Sequence, residues 1–151
     1  MMIRMRMRKC VLLLVVLQLV TKASALNVRD FGAIPNDEQC DAAAIRGAIA
    51  AAAEQGDPEV LFEEGTYRLK DAEKAGGTRA YINILELRNI ALVGTVGADG
   101  RPTTRLERAL KLDNETNPDI QINISKSQKI TLRNFILSND PPLGSTARVV
   151  E

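Results

Sequence analysis

The sequence predicts an all-β chain that winds as a parallel β-helix, closed at its N-terminal end by a capping α-helix. Three observations predict it. From Glu59 onward the chain consists of short apolar runs separated by polar turns. Two of those runs, Leu87-Arg88-Asn89-Ile90-Ala91-Leu92-Val93-Gly94 and Ser127-Gln128-Lys129-Ile130-Thr131-Leu132-Arg133-Asn134, share a polar turn followed by an apolar-x-apolar strand. They lie 40 residues apart, which is two coils of a solenoid or one coil swollen by the loop Gly94 to Thr104. Finally, a single Ala-rich helical period precedes the run of strands that begins at Glu59, as suits an end cap. A small antiparallel sandwich is the competing architecture. It is disfavoured because Asn-Gly and Asp-Gly hairpin turns are scarce, Asp99-Gly100 falling in the long loop.

Met1 to Lys9 is basic and rich in Met, Val11 to Val20 is apolar apart from Gln18, and Ala23-Ser24-Ala25 places small residues at alternate positions. This three-part layout is that of a secretory signal, with cleavage expected after Ala25. The apolar run is too short for a bilayer-spanning helix, which needs about 20 residues. The expected organisation is therefore a signal over 1–25 and a β-helix cap with its first coils over 26–151.

Leu26 to Ile34 alternates, then breaks at Gly32 and Pro35-Asn36-Asp37, as a short strand entering a loop does. Asp41 to Glu54 places Ile45, Ala48, Ile49 and Ala52 on one helical face. Asp41 is positioned to cap the first turn through its side chain, and Gly56 to end the helix. The narrow stripe of small residues predicts a lid that adds little core of its own. Strands follow around Val60-Leu61-Phe62, Tyr67-Arg68-Leu69, Tyr81 to Leu87, Ile90 to Val93, Leu106 to Leu112, Ile120 to Ile124 and Ile130 to Leu137. Gly97, Gly100 and Pro102 mark an excursion between two of them.

Charge and composition remove several function classes. Without residues 1–25 the chain has 15 basic and 19 acidic residues, a net charge of −4, which argues against a nucleic-acid partner. Aromatics are 3% and Trp is absent, leaving little for base stacking. There is no His, so no Ser-His-Asp or Cys-His nucleophile system can be built. Cys10 leaves with the signal, and Cys40 alone cannot form an intramolecular disulfide; a small apolar contact beside the helix is its expected role. Asn114-Glu115-Thr116 and Asn123-Ile124-Ser125 would be glycosylation acceptors in a eukaryote.

The stretch Asn27-Val28-Arg29-Asp30-Phe31-Gly32-Ala33, the helix from Asp41 to Ala53, and Val60-Leu61-Phe62-Glu63-Glu64-Gly65-Thr66-Tyr67-Arg68-Leu69 together resemble the opening of the pectate-lyase-type, right-handed parallel β-helix superfamily. The resemblance covers about the first third of the chain after Ala25. It departs where Glu63-Glu64 stands in place of the family's usual Pro. Ile130-Thr131-Leu132-Arg133-Asn134-Phe135 and Ser138-Asn139-Asp140-Pro141-Pro142 are most similar to the α-1,3-galactosidase branch. The resemblance implies a right-handed solenoid and a secreted glycoside hydrolase acting on polysaccharide or oligosaccharide. It also implies that the catalytic carboxylates lie on middle coils, so that this chain, stopping in mid-pattern, is the N-terminal part of a longer enzyme with no complete active site.

Hydrolysis of a glycosidic bond needs two carboxyl groups across it. Glu63, Glu64, Asp71, Glu73, Asp113, Glu115 and Asp119 read as solvated surface; Asp140 is the best catalytic candidate, because the two prolines after it hold its backbone rigid, although Asp-Pro-Pro is also a plain turn. The alternative function is a noncatalytic carbohydrate-binding or adhesive module. For that reading Arg101, Arg105 and Arg108, the one local basic cluster, would hold acidic sugars. A uronate lyase would need clustered Asp oxygens for Ca²⁺, and no such spacing is present. No cofactor, no metal and, once the signal is removed, no membrane partner is expected.

Overall fold

The structure, a computed structural model, describes residues 25–56, 58–109 and 120–140. Residues 1–24 of the expected signal and Asn114 lie outside them. In chain order the described strands are β1 (Leu26–Asn27), β2 (Glu59–Leu61), β3 (Gly65–Leu69), β4 (Glu73–Ala75), β5 (Thr78–Leu85), β6 (Arg88–Val93), β7 (Thr104–Ala109), β8 (Ile120–Ser125), β9 (Gln128–Arg133) and β10 (Phe135–Asp140). A 3-10 turn (Val28–Phe31) and one helix, α1 (Ala42–Gln55), stand between β1 and β2.

These strands form three sheets, in the orders β1-β2-β6-β9, β3-β7-β10 and β4-β5-β8. The first two are parallel throughout, whereas the third is mixed, with β4 antiparallel to β5 and β8 parallel to it. This corrects the expected right-handed parallel β-helix. Among the described residues the structure is mostly β with one helix, but the strands divide into three distinct sheets, one of which contains a hairpin. The cause of the hairpin is local. Ala75 pairs with Thr78 across Gly76 and Gly77, whose φ values of 57° and 87° satisfy a two-residue turn that needs positive φ at both positions. That Gly-Gly signal is the one the sequence reading overlooked while looking for Asn-Gly and Asp-Gly.

The repeated blocks are direct neighbours. Ile90 pairs with Ile130 and Leu92 with Leu132, so a displacement of 40 residues is one step across a sheet. The turns repeat as well: Glu86 and Lys126 have φ of 58° and 53°, Asn89 and Lys129 of 55° and 54°, and Lys126 Nζ lies 3.4 Å from Glu86 Oε1. Parallel pairing at this offset brings like residues together on the inward face. Val60, Leu92, Tyr67, Leu69, Leu106, Ile82 and Ile84 form the core, and Phe62 meets Tyr67 and Phe135 edge to face at 5.5 and 5.0 Å.

Helix α1 buries Ala42, Ile45, Ala48, Ile49 and Ala52, the predicted face with one residue added, and packs against β1, β2, β5 and β6. Ile45 and Ile49 make it part of the core and more than a lid. Gly56 ends it in the left-handed region, as expected. Cys40 is half-buried against the core, and its Sγ accepts from the Lys70 amide at 3.4 Å.

The Gly94 to Thr104 excursion is pinned at its neck. Thr104 Oγ1 accepts from the Thr95 amide at 2.8 Å and donates to Glu63 O at 3.0 Å, while Thr95 Oγ1 lies 2.9 Å from the hydroxyls of Thr103 and Thr104. The neck leaves no room at Gly94, where a Cβ would stand 2.3 Å from Asn134 O and 2.8 Å from Thr104 Cβ. At Gly47, inside α1, a Cβ would meet only Phe31 Cδ1 at 3.6 Å. Chemical denaturation should therefore separate the two glycines. Gly94→Ala costs at least about 2 kcal/mol by forcing backbone apart, whereas Gly47→Ala stabilises by about 0.5–1 kcal/mol through helix propensity.

Tyr67 gives a second test. Its hydroxyl accepts from the Glu63 amide at 3.0 Å, and burial above all pushes its pKa up to about 12. Between pH 10 and that value the unfolded chain releases a proton that the folded chain retains, so stability falls as pH rises through this window. Tyr67→Phe should cost about 1 kcal/mol at neutral pH, by leaving the Glu63 amide without its acceptor, and should flatten the alkaline slope of a urea-melt series.

Candidate functional site

The charged residues that the strands bring together lie on the outward face of the β3-β7-β10 sheet. Registration sets Arg68 beside Glu107 and Glu107 beside Ser138. The alternation of a strand turns Tyr67 and Leu69 inward and Arg68 outward. Three carboxylates converge on that guanidinium. Glu38, from the loop before α1, takes Nε at 2.8 Å and Nη2 at 3.1 Å; Glu107 and Asp140 both take Nη1, at 3.2 and 3.0 Å. The Asp140 hydrogen bond, followed by the charges of Glu38 and Glu107, outweighs partial desolvation and raises the Arg68 pKa. Ser138 Oγ is shielded on the same face and has no hydrogen-bond partner among the described residues.

Asp41 holds Arg68 in place from behind. It caps α1 through its backbone, the Ile45 amide donating to Asp41 O at 2.9 Å, but makes no side-chain bond to the first turn. This corrects the expected side-chain cap. The carboxylate is 3% exposed and turned the other way, with Oδ1 accepting from the Ile34 amide at 3.0 Å and Oδ2 from the Arg68 amide at 2.8 Å. Around it the loop follows the outer edge of β3: the Asn36 amide donates to Thr66 O, the Thr66 amide to Asn36 Oδ1, and the Asp41 amide to Arg68 O. Gly65 lets the loop come this close, since a Cβ there would stand 2.5 Å from Asn36 Nδ2.

The residues singled out in the sequence are distributed as follows. Asp140 joins the Arg68 cluster. Arg101 lies at the exposed loop, its amide donating to Asp99 Oδ1 at 3.0 Å and its Nε 3.6 Å from Asp99 Oδ2. Arg105 is in register with Thr66 and Ile136, on the face that carries Glu107. Arg108 falls at the opposite parity and donates through Nε to Asn139 Oδ1 at 3.0 Å. Asn123 stands in β8 beside Asn83, and its Nδ2, the atom that glycosylation would modify, donates to Asn83 Oδ1 at 3.0 Å. Arg68, Glu38 and Glu107 were not among the sequence candidates. They are spread over 70 positions, and only strand register brings them together.

Two open depressions, of about 310 and 320 Å³, lie along the β1-β2-β6-β9 sheet and do not include this cluster. One is bordered by Asn89, Lys129 and Thr131, the other by Asn27, Phe62 and Glu63. Neither gathers a pair of carboxyl groups, so the Arg68 face is the better candidate site. Among the described residues no group of three or more Cys, Asp and Glu side chains is placed to hold a metal ion.

No family model matches the chain, and no curated protein matches it. Among solved structures, the A-module of the Azotobacter vinelandii mannuronan C-5 epimerase AlgE6 aligns with a TM-score of 0.47 and 22% identity, over 75% of this chain and 28% of the module. The chain thus spans less than a third of the length of that structure.

The Asp41 carboxylate supplies the test of this geometry. Burial, the largest influence, raises its pKa above 3.8, against the pull of the Arg68 and Ile34 amides. Asp41→Asn should cost about 1–3 kcal/mol, because an amide NH₂ would face a backbone donor. The sign of the pH dependence follows from the raised value: the native state holds its proton longer, so wild-type stability falls as pH rises from 3.8 through the folded pKa. In urea melts the wild-type lead over Asp41→Asn should accordingly be larger in acid than at neutral pH.

Proposed function

We propose that this chain is part of a secreted, carbohydrate-active protein, and that its described part holds a saccharide on the Arg68 face without cleaving it. The observation that carries this reading is the fixed array of Glu38, Glu107 and Asp140 around one guanidinium. Glu38, held through both oxygens, and Glu107 and Asp140, held through one each, present their remaining lone pairs in set directions, as recognition of sugar hydroxyls requires. Arg105 on the same face and Lys70, whose Nζ donates to Glu38 O, balance the carboxylates that Arg68 does not, so charge alone does not select among neutral, amino and uronate sugars. The export signal read at residues 1–25 and the resemblance at Asn27–Ala33 and Val60–Leu69 support the same class of protein.

Hydrolysis by the pair Glu107 and Asp140 is the weaker reading. A hydrolase sets its two carboxyl groups on either side of the glycosidic bond. Here both contact the same Nη1, and Arg68 fills the space between them.

Titration of the full chain with neutral, amino and uronate oligosaccharides, followed by calorimetry and by release of reducing ends, tests the proposal. Expected are binding of at least one of these sugars, no turnover, and at least about a tenfold loss of affinity in Asp140→Ala, with an unchanged melting temperature. Absence of binding, affinity indifferent to Asp140, or release of reducing ends would each overturn it.

A further inference from the structure

The face that carries the Arg68 cluster holds a second guanidinium with no partner. In β7 the alternation of the strand buries Thr104 and Leu106 and turns Arg105 and Glu107 outward, two residues or about 6.6 Å apart along the chain. β7 is the middle strand of its sheet, so this face is bordered on both sides: Thr66 and Ile136 are in register with Arg105, and Arg68 and Ser138 with Glu107. Neither Thr66 nor Ile136 offers Arg105 a charge.

The two arginines therefore differ. Arg68 directs Nε and Nη2 to Glu38 and Nη1 to Glu107 and Asp140. Arg105 is half-buried, yet its side chain makes no ion pair and no hydrogen bond among the described residues. Glu107 lies one pleat away but is already turned to Arg68 at 3.2 Å. The net charge of the face selects no class of sugar, but the pairing of its groups does. Lone pairs on Glu107 and Asp140 accept from hydroxyls, and beside them stand the five N–H donors of Arg105, whose planar fork matches two oxygens of an oxyanion.

We propose that the saccharide held on the Arg68 face carries an anionic group, a carboxylate or a sulfate, and that Arg105 binds this group while sugar hydroxyls donate to Glu107 and Asp140. This rests on the Arg68-face reading above and names the class of saccharide together with the residue that selects it. Arg101 and Arg108, the neighbours of Arg105 in sequence, take no part. Arg101 stays beside Asp99 on the exposed loop, and Arg108, at the opposite parity, donates to Asn139.

Calorimetry on the full chain with three oligosaccharide probes, one neutral, one containing glucuronate and one O-sulfated, tests the assignment, and far-UV circular dichroism reads the fold. At least one acidic probe should bind at least about tenfold tighter than the neutral one, with an affinity that falls as salt rises. The acidic probe that responds identifies the group as carboxylate or sulfate. Arg105→Gln should bring its affinity down to that of the neutral probe with an unchanged spectrum, and Arg105→Lys should restore part of the difference by returning the charge without the fork. Arg101→Gln should leave the preference unaltered. Equal affinity for neutral and acidic probes, a preference that survives Arg105→Gln, or one lost equally in Arg101→Gln would overturn the role of Arg105 and leave the Arg68-face reading standing. If none of the three probes binds, both fall.

Discussion

The rest of the structure depends on where the Asp41 carboxylate is buried. Its two oxygens bind the amides of Ile34 and Arg68, tying the loop ahead of α1 to the outer edge of β3. Burying a carboxylate is costly, and the charge is tolerated because each oxygen has a backbone donor. From that one contact follow the closure of a sheet edge and the anchoring of Arg68, while the backbone of the same residue starts the helix. The guanidinium then extends outward to Glu38, a few residues along the same loop. Core and candidate site are thus joined through a single residue, whose backbone serves the helix and whose side chain serves the sheet.

Away from that edge the fold is held by repetition. Pairs such as Ile82 and Ile122, Ile90 and Ile130, and Leu92 and Leu132 stack because parallel register sets like beside like. Polar partners obey the same rule: Asn83 and Asn123 bond across one sheet, and Glu86 meets Lys126 at a turn. Arg133 reaches further, from β9 across β6 to Glu59 on β2 at 2.7 Å, above the small side chain of Ala91. The exposed ion pairs contribute little stability individually. Their effect is on register, since a slip of one residue would turn every buried Ile and Leu outward.

The extent to which this was legible in the sequence divides by range. Features set by neighbouring residues were readable: the helical face of Ile45, Ala48, Ile49 and Ala52, the stop at Gly56, and the kinship of the blocks around Ile90 and Ile130. Gly76-Gly77 was equally local but overlooked, and with it went the hairpin that makes the third sheet mixed. Asp41 was placed correctly as a helix start, yet its side chain answers to Arg68, 27 positions on, which no local pattern encodes. The Arg68 cluster is the extreme case. Its four members come from a loop and three strands, and an exposed Arg or Glu in a strand reads the same whether or not it has partners. Arg101, Arg105 and Arg108 show the converse, for closeness in sequence says nothing of the face on which a strand presents a side chain.

The offset of the pairings also sets an order of events. Almost every sheet contact joins residues 30 to 40 positions apart, so no strand finds its partner until a whole intervening segment has been laid down. β8, β9 and β10 can form only on β5, β6 and β7, and β6 and β7 only on β2 and β3. Growth of this kind is slow, because each closure spends loop entropy before its contacts form. It is also directional: α1 and the edge latched by Asp41 provide a template available early to a chain that emerges from its N-terminus.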